Sequence, residues 1–248
     1  LERSGYRTRP FSKKKTSVIL GLTGAMPDLA QQYVLRSNLL RLFEKVPPDA
    51  WDVFPAWTED SFPGMLTNIT ASRIAKSFGL EGVNYTVDAA CASSLAAFHH
   101  ALRELECGKS DMVITGGADG SQTPWTYLCF SNVNALSPRG WPRPFDEAAD
   151  GTVISEGVGI AVLKRRRDAE RDGDTIYALL RGIGGSSDGR GKGLTAPRPE
   201  GQRLAIKRAY VQAGFSPHDV DLIEGHGTGT VVGDRTELQV LQEFFDGF

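Results

Sequence analysis

The chain has 248 residues, enough for one large domain or part of one, with 28 Lys and Arg against 30 Asp and Glu and a formal net charge of −2. That near balance excludes a protein built to neutralise phosphates along nucleic acid, and no apolar run approaches the ~18 residues a bilayer span needs. Hydrophobic residues at 40% describe an ordinary globular chain, while three cysteines are too few for a disulfide framework and no CxxC pair suggests zinc, so no metal and a reducing, cytoplasmic setting are expected.

Residues 1–16 (LERSGYRTRPFSKKKT) read as a basic leading segment with no apolar core for a signal peptide. The chain opens on Leu1 and closes at Gly247 and Phe248 directly after a helical pattern, so residues 17–248 are expected to be a partial domain cut at both ends. A strand is expected at 17–20, closed by Gly21. A helical stretch follows Pro27, with Leu29, Tyr33, Leu40 and Phe43 near one face, and stops before Pro47 and Pro48. Residues 49–64 read as irregular surface, and 67–78 as a helix stopped by Gly79. Next come a strand at 83–87 and a helix at 91–107 ending at Gly108, in which Leu95, Phe98, Leu102 and Leu105 form one apolar stripe. A short strand at 112–115 enters Gly116 and Gly117. Further strands are expected at 158–163, 176–183 and 220–224, a long loop at 184–201, and helices at 202–213 and 234–245. Asp234 and Glu237 suggest an approximate capping box on the last helix. Strands alternating with helices argue for a layered α/β fold.

The strongest local signal is VDAACASSLAAFHHAL at 87–102. A strand ends, Ala89 and Ala90 turn the chain, and Cys91 falls in the first turn of a helix. Free N–H groups and the positive end of the helix dipole favour a thiolate there. The same N–H groups can donate to an oxyanion formed when sulfur attacks a carbonyl. The neighbours Ala89, Ala90, Ala92, Ser93 and Ser94 are small enough to leave room for a substrate. Position alone leaves two readings open, an activated nucleophile or a buried small hydrophobe. Cys107, at the wrong end of the dipole, and Cys129, beside Trp125, Tyr127 and Phe130, read as core packing.

A nucleophilic cysteine usually works with a histidine. His99 lies eight residues along the helix, ~12 Å at 1.5 Å per residue, so His99 and His100 read as packing or surface groups. His218 follows Ser216 and Pro217 in a helix-start turn and reads as solvated. His226 differs, because it follows an expected strand within EGHGTGT. Gly225, Gly227 and Gly229 open space for a ligand at a strand's carboxyl end, and Thr228 and Thr230 add hydroxyls. Three rival motifs fail on context. Gly185-Ser186-Ser187-Asp188-Gly189 lacks the helix of a nucleophile elbow. Gly108-Lys109-Ser110 has Arg103 where a phosphate loop has its first glycine. The alternating Gly189, Gly191 and Gly193 lack dinucleotide-site spacing.

VDAACASSL, RPFDEAADGTVISEGVGIAVLKR, LTAPRPEGQ and EGHGTGTVVGD together resemble the β-ketoacyl synthase domain of polyketide and fatty acid synthases, in that family's order and spacing. NYTVDAACASSLAA, WPRPFD and SSDGRGKGLTAPRPEGQ look most similar to polyunsaturated-fatty-acid-type multidomain synthases. The resemblance implies a thiolase-like layered α-β-α-β-α fold, of which this chain would hold the N-terminal half and the start of the C-terminal half. It implies decarboxylative Claisen condensation with malonyl-acyl carrier protein, in a domain that is normally a homodimer. No cofactor is expected to be bound, since substrates ride on the phosphopantetheine of acyl carrier protein. By position, Cys91 would take the acyl chain, His226 would be the first of two active-site histidines, and Thr228 and Thr230 would contact the phosphopantetheine arm. Asp234 matches a motif residue and is assigned helix capping. The family's second histidine, its lysine and its glycine-rich oxyanion loop have no counterpart before Phe248, so weak or absent condensation is expected of the chain alone. Two alternatives stand beside this one: a thiolase-fold enzyme acting on acyl-CoA, and a non-catalytic dimerising partner, against which the joint retention of Cys91 and His226 weighs.

Overall fold

The computed structural model describes residues 5, 6, 8–23, 28–120, 122–190, 193 and 196–247. The expected helix start at Pro27, the glycine at 191, the opening of LTAPRPEGQ, and Leu1 and Phe248 lie outside the described residues. The chain divides into two compact units, the first Leu1–Thr123 with Glu156–Ile176 and the second Pro124–Ser155 with Tyr177–Phe248.

The first unit is built on a four-stranded sheet: β1 (Thr16–Gly21), β2 (Asn84–Val87), β3 (Met112–Asp119) and β4 (Gly157–Leu163), in the order β2-β1-β3-β4. β1 runs parallel to β2 and β3, and β4 pairs antiparallel with β3. Gly21 is opposite Val87 on one side and Gly117 on the other, so the three parallel strands share one carboxyl-terminal level. Four helices belong to this unit before β4: α1 (Asp28–Leu42), the single turn α2 (Ser61–Gly64), α3 (Asn68–Phe78) and α4 (Ser93–Glu106). Successive strand residues point to opposite faces, and two cores result. Val18, Leu20 and Ile114 pack with Ala71 and Ala75 of α3 and with Leu80. Ile19 and Val113 pack with Ala97, Ala101 and Leu105 of α4.

Several expectations are corrected here. The buried stripe of α4 is Ser93, Ala97, Ala101 and Leu105, so of the expected stripe only Leu105 is buried, and Leu95 is 64% exposed. Small residues every four positions let the helix lie close against the sheet, which a row of leucines would hold off. Cys107, and Cys129 on the unexpected helix α5 (Pro124–Asn132), are exposed and not core. Leu40 and Phe43 near the end of α1 are exposed as well. β3 runs on through Gly116 and Gly117, because β4 pairs with it there. The expected strands at 176–183 and 220–224 form no ladder among the described residues. Along the first run, Ile183 gives its N–H to the Gln212 side chain. Gly182 and Gly184 lie so near the helix backbone at Ala209 and Ala205 that a Cβ on either would overlap it.

After β4 comes α6 (Arg166–Asp172), and the leading segment is tied to it. The Lys164 ammonium donates to Asp172 (2.6 Å), Asp174 (2.6 Å) and the Tyr6 oxygen (2.7 Å). The Tyr6 hydroxyl and Arg9 also bind Asp174. Burial alone would raise the Asp174 carboxyl, but hydrogen bonds from Lys164, Tyr6 and Arg9 hold it below the usual carboxylate range. Arg171 and Lys164 do the same for Asp172. Lys164, although partly desolvated, is raised by these carboxylates and Tyr6. A cavity of about 370 Å³ beside this cluster is lined by Thr16 and Met112, at the amino-terminal ends of β1 and β3.

The second unit holds α5, α7 (Pro199–Ala213) and α8 (Val231–Asp246). Val240 and Phe244 of α8 are buried, and the Tyr210 ring of α7 lies 5.4 Å from Phe244 and 6.2 Å from Phe245. Among the described residues no helix is long and apolar enough to cross a membrane.

Carboxylates held below their ordinary range stabilise the fold above about pH 4 and lose that contribution as pH falls through their folded values. The raised Lys164 contributes below its ordinary value of about 10.4 and stops doing so only as pH rises through its folded value. The expected melting temperature is therefore flat around neutrality and drops below about pH 4. Asp174→Asn should lower it at pH 7 and flatten the acid limb. Thermal melts followed by circular dichroism across pH 2–8 check both.

Candidate active site

Cys91 sits in a one-turn 3₁₀ helix, Ala90–Ala92, that runs directly into α4, and its side chain is exposed. The turn follows β2, at the carboxyl-terminal level of the parallel strands and at the opposite end of the sheet from the 370 Å³ cavity. The helix start is seated on bare backbone. A Cβ on Gly21 would overlap the Ser93 carbonyl, and one on Gly117 would lie 2.8 Å from the Ser94 Cβ. Ala90 has φ 50°, left-handed for a residue with a Cβ. Around it, Asp88 Oδ1 accepts from the Ala90 N–H (3.0 Å) and Ser93 Oγ from the Ala89 N–H (2.9 Å). The Ser93 hydroxyl donates to the Ala90 carbonyl (2.6 Å). Ser93 is buried, so it is a tether of the turn and not one of the small residues that leave space for substrate.

His226, exposed, lies in the second unit with Thr228 and Thr230. Its loop is pinned from α8. The Glu237 carboxylate accepts from the backbone N–H of His226 (2.6 Å) and Gly227 (3.0 Å). Asp234, 4% exposed, accepts from Gly229 (3.0 Å) and Phe145 (2.7 Å). The capping box expected at Asp234 and Glu237 is therefore wrong. α8 begins at Val231, placing both carboxylates inside the helix, where they hold the loop instead. The glycines also serve a purpose other than the expected opening. Gly225 and Gly227 make room for the Phe145 ring, itself at φ 62°, and Gly229 for the Gly151 carbonyl. The Thr228 and Thr230 hydroxyls bond each other (2.8 Å) above the first turn of α8, where a Cβ on Gly233 would crowd both.

The other histidines stand where the sequence put them. His99 and His100 are exposed on α4, His100 within 3.2 Å of the Tyr85 hydroxyl. His218 is exposed in a 3₁₀ turn that carries a real capping box, Ser216 with Asp219. The described residues contain no group of three or more His, Cys, Asp or Glu placed to hold a metal. Sequence reasoning missed Asp88, Phe145 and Glu237 as positioning groups. The only signal for all three was their place within or beside the quoted motifs, Asp88 in VDAACASSL, Phe145 in RPFDEAADG and Glu237 just after EGHGTGTVVGD.

Residues 1–169 match the family model for the β-ketoacyl synthase N-terminal domain, and residues 177–247 that for its C-terminal domain. The chain is 41% identical over 258 residues to a polypeptide of the polyunsaturated fatty acid synthase of a Thraustochytrium species, covering 99% of this chain and 9% of that protein. It is 40% identical over 209 residues to mycoketide-CoA synthase of Mycobacterium tuberculosis, covering 84% and 5%. Among solved structures it resembles the ketosynthase from module 6 of the bacillaene synthase of Bacillus subtilis 168. There the TM-score is 0.79 at 32% identity, over 99% of this chain and 39% of that one. The chain thus spans less than a tenth of the length of these two curated relatives.

Asp234→Ala would leave two backbone N–H groups, at Gly229 and Phe145, without their anionic acceptor. The expected loss is about 1–3 kcal/mol of stability, and Asp234→Asn restores at most part of it, because it keeps one acceptor oxygen and turns an amide NH2 toward the other N–H. Urea unfolding of the three proteins measures it.

Proposed function

The chain belongs to the β-ketoacyl synthase family, and on that premise we propose that it is the acyl-accepting part of a condensing enzyme that elongates an acyl chain with malonyl units. Cys91 takes the acyl group from a carrier-protein thioester. Its thiolate attacks the thioester carbonyl and forms the new C–S bond as the carbonyl electron pair moves onto oxygen, and collapse restores the carbonyl, breaks the carrier C–S bond and releases the carrier thiol. Malonyl thioester then loses carbon dioxide, and the resulting enolate carbon attacks the Cys91 acyl carbonyl and releases the sulfur. His226, as a neutral imidazole, donates its N–H to the malonyl thioester oxygen while enolate charge builds there. Thr228 and Thr230 hydroxyls bind the phosphopantetheine arm.

The observation that carries this reading is Cys91 itself: an exposed sulfur in the first turn leading into α4, at the carboxyl ends of the parallel strands. Open α/β sheets hold their ligands at that edge. The partner is an acyl carrier protein, which brings the substrate on its own phosphopantetheine, and the complete domain is a homodimer, as its family resemblance implies. The three free cysteines support a cytoplasmic setting.

Mass spectrometry after incubation with an acylated carrier protein tests the assignment. One acyl group is expected on Cys91, absent from Cys91→Ala. His226→Ala should still be acylated, because the imidazole acts on the malonyl unit. Acylation by acyl-CoA in preference to the carrier protein would favour a coenzyme A enzyme, and no acylation by either would leave a non-catalytic dimerising partner.

A further inference from the structure

We propose that Ser93 and Asp88 are positioning residues for Cys91, holding the left-handed turn at Ala90 so that the Cys91 N–H is aimed at the oxygen of the carbonyl under attack. The proposal rests on the reading of Cys91 as an acyl acceptor. A residue with a Cβ keeps φ near +50° only where its surroundings enforce it. Three hydrogen bonds from two side chains do so, occupying the N–H groups of Ala89 and Ala90 and the Ala90 carbonyl. Further along, the Ala92 N–H donates to the Ala89 carbonyl (3.1 Å) and the Ser93 N–H to the Ala90 carbonyl.

In the run 89–93, the Cys91 N–H is the donor with no acceptor among the described residues. It belongs to the residue that carries the sulfur, where oxyanion charge develops during acyl transfer. Ser93 is buried beneath the turn, so its hydroxyl acts through the backbone rather than on substrate. Losing that hydroxyl frees the Ala89 N–H and relaxes Ala90, and the Cys91 N–H swings with it.

Two reactions of the same sulfur separate this role from general structure. Acylation passes through an oxyanion. Alkylation by iodoacetamide displaces iodide, forms a C–S bond and makes none. Rates of Cys91 acylation by hexanoyl-N-acetylcysteamine and of alkylation by iodoacetamide are to be measured for the wild type, Ser93→Ala, Ser93→Thr and Asp88→Ala. Ser93→Ala is expected to acylate about 10-fold or more slowly, with alkylation within roughly 2-fold of wild type, since no oxyanion forms in that reaction. Ser93→Thr, which keeps the hydroxyl, should restore acylation. Asp88→Ala, at an exposed position, should behave as Ser93→Ala and carries the test if the buried variant fails to fold. Acylation at the wild-type rate in both variants overturns the proposal, as does a parallel fall in acylation and alkylation. A wild type that alkylates but never acylates overturns the acyl-acceptor reading itself.

Discussion

The first turn of α4 rests on bare backbone at the ends of β1 and β3, and the candidate nucleophile owes its place to that contact. Gly21 and Gly117 lie level with each other across the parallel pair, and neither has room for a Cβ beneath Ser93 and Ser94. Ala97 and Ala101, one and two turns further on, keep the helix equally close. Close packing therefore fixes the height at which the helix begins. Cys91, one turn earlier, stands exposed at the level where the parallel strands end.

The second unit places its candidate group by a different physical means. His226 is carried on a loop with few side chains to pack, and two carboxylates of α8 hold the loop by its backbone N–H groups. Hydrogen bonds to ionised acceptors are stronger and more directional than neutral ones, which suits a segment whose glycines at 227 and 229 have positive φ. Phe145, inserted against Gly225 and Gly227 and tied through its own N–H to Asp234, joins the RPFD segment to the same anchor.

The sequence made the parallel strands, the helices flanking them and the special setting of Cys91 legible, because each rests on local pattern: alternation, four-residue spacing, a small-residue turn. It misjudged what tertiary contact decides. Leu95 fits a helical stripe as well as Ala97 does, and only the nearness of the sheet selects the smaller residue. The runs at 176–183 and 220–224 have β-forming composition, but a strand is defined by its neighbour and no ladder forms along either. Asp234 and Glu237 have capping-box spacing, and three residues of earlier helix start turn them into loop anchors. His226, Thr228 and Thr230 could be singled out as candidates, while the carboxylates and the ring that hold their loop needed coordinates.

The seating of α4 is tested most directly by acylation of Cys91 in a Gly21→Ala variant. A Cβ there pushes the first turn off the sheet, and displacement of a reacting group by about 1 Å can cost on the order of 100-fold in rate. Cooperative melting with acylation slowed by about 10-fold or more is the expected result. A variant that melts cooperatively and acylates at the wild-type rate would contradict it.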